Sequence, residues 1–263
     1  MISAGGVGGI GYQKRMLLSV VLPTTQQAHR LRHTISGLRT LQALLPYPIE
    51  VVVADTGSTD GTPEQCEEAG FRVLRLSRGG YGTAVRVGMT AARGVYRLLI
   101  DSEWSIPPEQ LQLLLPPALT GFDVAVASRH VTGAARLDEP LSSLVVSRTF
   151  NQAVRAIVLP DHSDTQLAYK CFRAEAARAL FSRCREDSEA IHVEALALSR
   201  IFGLDVVEVP VDWTFSPILR QTAAQAPAML TALLRIRARI IAGRYEPLQV
   251  SNPADEDAPG WYI

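Results

Sequence analysis

Lysine is nearly missing from this chain: Lys14 and Lys170 are the only two, so almost all positive charge sits on arginine. Any phosphate or carboxylate it recognises is therefore expected to meet guanidinium forks rather than ammonium points. Cysteine is scarce as well. Cys66, Cys171 and Cys184 are odd in number, widely spaced and without a C-x-x-C pair. That argues against a disulfide framework or a zinc site and for a reducing, cytoplasmic setting. No apolar run reaches the roughly 18 residues of a membrane-spanning helix. The start, MISAGGVGGIGYQKRM, lacks the apolar core of a signal peptide. Excess charge is missing too: Lys+Arg and Asp+Glu both total 26, which gives no reason to expect nucleic acid as a partner.

What is present is an ordinary globular balance, 263 residues with 47% apolar and 20% charged, enough for one large α/β domain or two small ones. The GGVGGIG near the start has the glycines of a dinucleotide fingerprint, but no strand precedes it and no helix pattern follows. Residues 1–15 are read as a flexible tail and 246–263 as a loose one. Between them apolar strands alternate with helical spacing. Strands are expected at 17–23, 49–55, 71–76 and 95–101, with helices at 27–45, 62–69 and 83–93. This spacing predicts βαβ units and a mostly parallel sheet flanked by helices. Further strands are expected at 122–129, 169–173 and 205–213, the last at an edge because Pro210 cannot donate to a ladder. Helices are expected at 141–158, 174–181 and 188–202. A main domain of 16–225 is followed by a C-terminal helix within 226–245.

Ligands of open α/β sheets collect beyond the carboxyl ends of the strands, where Pro23, Asp55, Arg78 and Asp101 all lie. The fourth strand runs into LLIDSEWSIPPE (98–109). Read alone, its Asp101 and Glu103 are either two carboxylates converging on a cation or the solvated polar end of a buried strand.

Eight segments, in order over residues 17–215, carry a resemblance. VVLPTTQQAHRL resembles the opening strand and turn of family 2 glycosyltransferases, and VVVADTGSTDGT their second-strand motif. RGGYGTAVRVGMTAARG, DSEWSIPPE, VAVASRHVTG, SRTFNQAVR, DTQLAYKCFRAEAARAL and VEVPVDW are similar to successive motifs of the branch that makes polyprenyl-phosphate (dolichyl-phosphate) mannose and glucose.

The resemblance implies a GT-A fold and an inverting transfer of a sugar from a UDP- or GDP-linked donor. It implies a Mg²⁺ or Mn²⁺ ion on Asp101 and Glu103, since a divalent cation stabilises a diphosphate leaving group. It places Pro23, Thr24, Gln27, Asp55, Arg78, Gly79, Gly82, Asp101 and Ser102 along the donor. Arg129, Arg148, Gln166 and Trp213 fall near the phosphates or the acceptor. Asp164, His192 and Glu194 are the candidate catalytic bases, and a base is needed only if the acceptor is a hydroxyl. The acceptor is a polyprenyl phosphate or a small soluble molecule. For the first, the apolar helix at 226–242, with Arg235, Arg237 and Arg239, would touch a membrane peripherally; a helix packed on the core is the simpler reading. A homodimer stays open. Where the family has Tyr-Asn-Glu, this chain has Thr25, Gln26 and Gln27, which favours a competing reading, a non-catalytic GT-A domain that binds a nucleotide sugar or a protein.

Overall fold

Val20, Leu22, Val51, Val53, Leu98 and Ile100 alternate with Val21, Val52 and Leu99 along three strands, so both sheet faces are apolar and both need cover. The computed structural model describes residues 17–160, 162, 164–215 and 226–245, and in it helices cover both faces. The expected tails at 1–15 and 246–263 lie outside the described residues.

The first half runs β1 (Leu18–Thr24), α1 (Leu31–Leu44), β2 (Ile49–Thr56), α2 (Thr62–Glu68), β3 (Arg72–Leu76), α3 (Tyr81–Ala91), β4 (Tyr96–Leu99) and a short α4 (Pro108–Leu111). The second half runs β5 (Val124–Ser128), β6 (Ala135–Leu137), α5 (Leu141–Ile157), β7 (Lys170–Arg173), α6 (Ala174–Phe181) and α7 (Ile191–Ile201), then β8 (Val206–Pro210), β9 (Asp212–Thr214) and α8 (Ala226–Ile241). Seven strands form one sheet in the order β3-β2-β1-β4-β7-β5-β8, parallel except for β7, which opposes both β4 and β5. The mostly parallel sheet between helices is as the alternation of elements predicted.

One apolar layer joins Val21, Val52, Leu99 and Phe172 to α3, α6, α7 and α8; the other joins Val20, Val53, Ile100 and Tyr169 to α1 and Cys66 of α2. The helix at the C-terminal side is part of the first layer. Ala232, Leu233 and Ile236 of α8 are fully buried, so its apolar stripe rests on the core. No described helix is long and apolar enough to cross a membrane.

Two details differ from the expectation. The run 205–213 is not one strand: β8 pairs with β5 at the sheet edge, the chain passes Val211, and β9 pairs with β6 in a separate ribbon. With three residues, β6 is too short to leave a periodic signal. Pro23 is seated in the central β1 because the β4 ladder stops at Val21–Leu99, while the β2 ladder continues to Thr24–Asp55. The strands part there, and the crevice opens at their carboxyl ends.

Candidate active site

The loops after β1 and β2 are laced together. Backbone N–H groups of Gln26, Gln27 and Ala28 donate to Ser58 Oγ, Thr62 Oγ1 and Asp60 Oδ2 at 2.7, 2.8 and 2.9 Å. The Gln26 side-chain amide exchanges two hydrogen bonds with Thr59, each 3.2 Å. Gln26 itself sits at φ 52°, in the left-handed region. Asp55, expected along the donor, is 1% exposed and accepts three hydrogen bonds from protein: Thr24 Oγ1 at 2.9 Å and Ser58 Oγ at 2.5 Å on Oδ2, and Ser58 N at 2.8 Å on Oδ1. Asp55 and Thr24 thus hold the loop together. Gln27 is steadied by Ser102 Oγ, which donates to its Oε1 at 3.3 Å.

At the end of β4 the chain makes a strained corner. Trp104 adopts φ 50°, a left-handed conformation costly for a residue with a side chain. Gly37 of α1 makes room for the indole, since a Cβ there would overlap the ring. The corner gathers three donors on Asp101 Oδ1: Tyr169 OH at 2.6 Å, Glu103 N at 3.0 Å and Trp104 N at 3.2 Å. No described hydrogen bond reaches Oδ2, and Asp101 lines a cleft shared with Arg129, Gln166, His192 and Trp213. Burial raises its pKa to about 6 despite these donors, and the nearby Glu103 charge adds to the rise. Glu103, expected to share a cation with Asp101, turns instead to Arg30, which donates to its Oε1. Among the described residues no three His, Cys, Asp or Glu side chains are grouped to hold a metal.

The glycine-rich loop corrects another expectation. Gly79 and Gly82 were placed along the donor, with glycine allowing a nucleotide close to the backbone. A Cβ on Gly82 would instead overlap the Glu186 carbonyl, and one on Gly79, at φ 123°, would meet Thr83. The N-terminus of α3 is capped from far along the chain by Asp187, which accepts from Gly80 N and Thr83 N, both at 2.8 Å, and from Thr83 Oγ1 at 2.6 Å. A carboxylate at that end also suits the helix dipole. Arg78 is exposed on the preceding loop.

Across the cleft, Asp164 is fully buried in a two-pronged pair with Arg129, Nε to Oδ2 at 2.6 Å and Nη2 to Oδ1 at 3.0 Å. Burial alone would raise the Asp164 pKa, but the Arg129 charge and hydrogen bonds outweigh it and hold it well below the usual carboxylate range. A carboxylate so held is a poor proton acceptor. The Arg129 guanidinium lies 4.8 Å from the Trp213 ring, and Arg136, paired with Glu139 at 2.6 and 2.8 Å, lies 5.7 Å from it. Arg148 is exposed on α5 and outside the cleft lining; Ser143, Val146 and Ser147 present the lining face of that helix. Gln166 and Trp213 do line the cleft.

Of the other proposed bases, Glu194 belongs to a buried brace. It accepts from Arg185 N and Glu186 N, both at 2.8 Å, and from Tyr245 OH at 2.5 Å. It lies outside the cleft lining. His192 is in the lining, bonded to Tyr81 OH at 3.1 Å. Burial, with the Lys170 charge adding to it, pushes its pKa well below the ordinary value, so the ring is neutral.

Residues 19–181 match the family described as "Glycosyl transferase family 2". The chain belongs to that family. It is 28% identical over 217 residues to the human dolichyl-phosphate beta-glucosyltransferase, covering 75% of this chain and 67% of that one. It is 28% identical over 177 residues to the polyprenol monophosphomannose synthase of Mycolicibacterium smegmatis, 63% of this chain and 67% of that. Among solved structures, glucosyl-3-phosphoglycerate synthase from Mycobacterium tuberculosis, with Mn²⁺, uridine diphosphate and glucosyl-3-phosphoglycerate, superposes with a TM-score of 0.63 at 18% identity. It covers 89% of this chain and 81% of that one, and the likeness shows the shared GT-A fold.

For a family 2 glycosyltransferase, the cleft unites Asp101, Arg129, Gln166, His192 and Trp213 from the sequence-based set. It adds Glu139, Ser143, Ser147 and Glu189, which no motif flagged. Glu189 follows the Asp187 cap closely in sequence, so the segment that closes α3 also supplies a cleft carboxylate. The donor set around Asp101 suits a hard divalent cation. One hydrogen-bonded carboxylate with an oxygen left over is what such a cation needs when diphosphate oxygens and water complete its shell.

Proposed function

We propose that this glycosyltransferase is metal-dependent and inverting, and that it moves a hexose from a UDP- or GDP-linked donor to an acceptor held between α5 and β9. The observation that carries this reading is Asp101. It stands at the carboxyl end of β4, with three donors fixing Oδ1 and none of the described hydrogen bonds on Oδ2.

Asp101 would hold Mg²⁺ or Mn²⁺, with Glu103 close enough for its charge to be felt but engaged by Arg30. The ion, when bound, supplies charge that stabilises the departing diphosphate. The chain's own residues do the remaining work. Tyr169 and the backbone of Glu103 and Trp104 set the direction of the Asp101 carboxylate. The laced loops at 24–28 and 55–62, with Gln27 and Ser102 at their edge, form the wall that would meet the nucleobase, and Arg78 is exposed nearby in the chain order of the donor motifs. The buried Arg129–Asp164 pair gives the opposite wall a fixed shape. A single displacement from the face opposite the leaving group inverts the anomeric centre. The names of the relatives support a polyprenyl phosphate as acceptor, and that of the structural neighbour supports a small soluble phosphate ester.

The test is calorimetry with UDP- and GDP-sugars, with and without Mn²⁺, on the wild type and Asp101→Asn. Binding that requires Mn²⁺ and is lost in the variant is expected. Metal-independent binding without transfer or hydrolysis would instead favour a non-catalytic nucleotide-sugar domain.

A further inference from the structure

The charges around the acceptor end of the cleft are unusually well matched. Arg129 returns its charge to Asp164, with no contact longer than 3.0 Å between their side chains. Arg136, behind Trp213, returns its own to Glu139. What remains charged in the described lining is acidic: Asp101 at the end of β4, and Glu189. The rest is neutral. Ser143, Ser147 and Gln166 offer hydroxyls and an amide, while Val146, Leu167 and Phe215 offer apolar contact. Ser147 Oγ, Gln166 Nε2 and Trp213 Nε1 are buried without a partner among the described residues, and all three residues line the cleft, so an acceptor that drew these groups toward it would satisfy them.

A phosphate-bearing acceptor would bring a second anion beside the donor diphosphate into this wall. It would meet Glu189 and guanidiniums whose charge is already neutralised, which is unfavourable by charge alone. An uncharged hydroxyl meets no such barrier, but it must lose a proton as it attacks. The Glu189 carboxylate receives none of the described hydrogen bonds, while its backbone carbonyl accepts from His192 N at 3.2 Å. It is solvent-exposed and lines the cleft, and desolvation by the surrounding protein raises its pKa.

We propose that the acceptor is an uncharged hydroxyl compound of the sugar or polyol class, seated against Ser147, Gln166 and Trp213, and that Glu189 takes its proton. The proposal rests on the glycosyltransferase reading above and departs from the phosphate-bearing acceptors that the relatives' names suggest. A bond forms between the acceptor hydroxyl oxygen and the anomeric carbon. The bond from that carbon to the diphosphate oxygen breaks, and its electron pair leaves with the nucleoside diphosphate. The hydroxyl proton passes to the Glu189 carboxylate.

The experiment measures nucleoside diphosphate release by the full chain with Mn²⁺ and whichever of the UDP- and GDP-sugars gives a thermal shift. Its arms add methyl glycosides and glycerol, phosphoglycerate, or undecaprenyl phosphate in detergent. A donor that gives no shift removes the underlying reading itself and is scored separately. With a bound donor, the neutral hydroxyls are expected to raise release well above the hydrolysis rate, and the two phosphate acceptors are not. Glu189→Gln should cut hydroxyl transfer about a hundredfold or more while leaving the donor shift unchanged. In Glu189→Ala, added formate should restore part of the rate. Stimulation by phosphoglycerate or undecaprenyl phosphate alone, no stimulation by any acceptor, or a wild-type rate in Glu189→Gln would each overturn the proposal.

Discussion

Asp164→Asn separates a catalytic acid from a buried strut. Asn keeps the shape of the side chain and gives up its charge. Asp164 is fully buried and the Arg129 side chain is 8% exposed, so the substitution strands a guanidinium in the interior. Breaking a buried pair from one side costs about 3–5 kcal/mol. In a domain of this size each kcal/mol moves the midpoint by roughly 2–4 °C, so a fall of about 6–20 °C is expected by thermal denaturation. The pH dependence has a definite sign. The folded-state pKa of Asp164 lies below its ordinary 3.8, so its stabilisation is complete above that value and is lost as pH falls through the folded-state pKa. Wild type and variant should therefore converge in strong acid. Replacing both partners with apolar residues, Arg129→Met with Asp164→Leu, should recover much of the loss. Activity is the discriminating readout. Loss of a general base costs about a hundredfold to ten-thousandfold, whereas loss of a strut leaves the folded fraction within about tenfold of wild type when assayed well below its midpoint. An unchanged midpoint with a hundredfold drop in rate would refute the strut and restore Asp164 as a base.

Three further perturbations follow from the same contacts. Asp101→Asn should remove Mn²⁺ binding while raising stability at pH 7 by up to ~3 kcal/mol, because a carboxyl whose pKa is raised to about 6 costs stability as pH rises from its ordinary 3.8; a destabilised variant in urea titration would count against it. In the wild type, Mn²⁺ affinity by calorimetry should fall as pH drops below about 6, where the proton competes for Asp101. Gly82→Ala should lose about 1–3 kcal/mol, since its methyl would overlap the Glu186 carbonyl, with nucleotide affinity unchanged in the folded protein; wild-type stability with tenfold weaker nucleotide binding would return this glycine to the donor site.

The strands were legible because apolar alternation and turn residues act locally, and the site's place followed from where strands end. Asp101 was legible for both reasons: it closes an apolar run and stands in a recognisable register with Pro107, Pro108 and Glu109. The roles of the other polar residues were harder, because each depends on a partner that sequence spacing does not reveal. Asp164 and His192 looked alike as candidate bases, yet one is locked to Arg129 and the other is bonded to Tyr81 in the cleft. Glu194 sat two residues from His192 in the same motif and faces the other way, into the brace made by Tyr245 and the backbone of Arg185 and Glu186.

The glycine loop makes the physical reason plain. A glycine reports that something approaches the backbone closely, and it carries no information about what does. Beside a sheet's ligand-binding edge, a nucleotide is a reasonable guess. Here the visitor is the protein itself, Glu186 and Asp187, reaching back more than a hundred residues to close α3 with a carboxylate. That carboxylate occupies the helix end that would otherwise favour a phosphate. On the proposed reading the diphosphate is met instead at the β4 corner, where Asp101 keeps an oxygen outside the described hydrogen bonds for a divalent cation. The segment that performs this closure runs on to Glu189 and His192, so its docking on α3 sets part of the cleft lining as well as the helix end. Asp187→Ala should accordingly weaken more than stability. With the cap gone, Glu189 and His192 lose their anchor, and the transfer rate should fall further than nucleotide affinity does. Equal losses in both would mean that the segment holds the donor rather than the acceptor side.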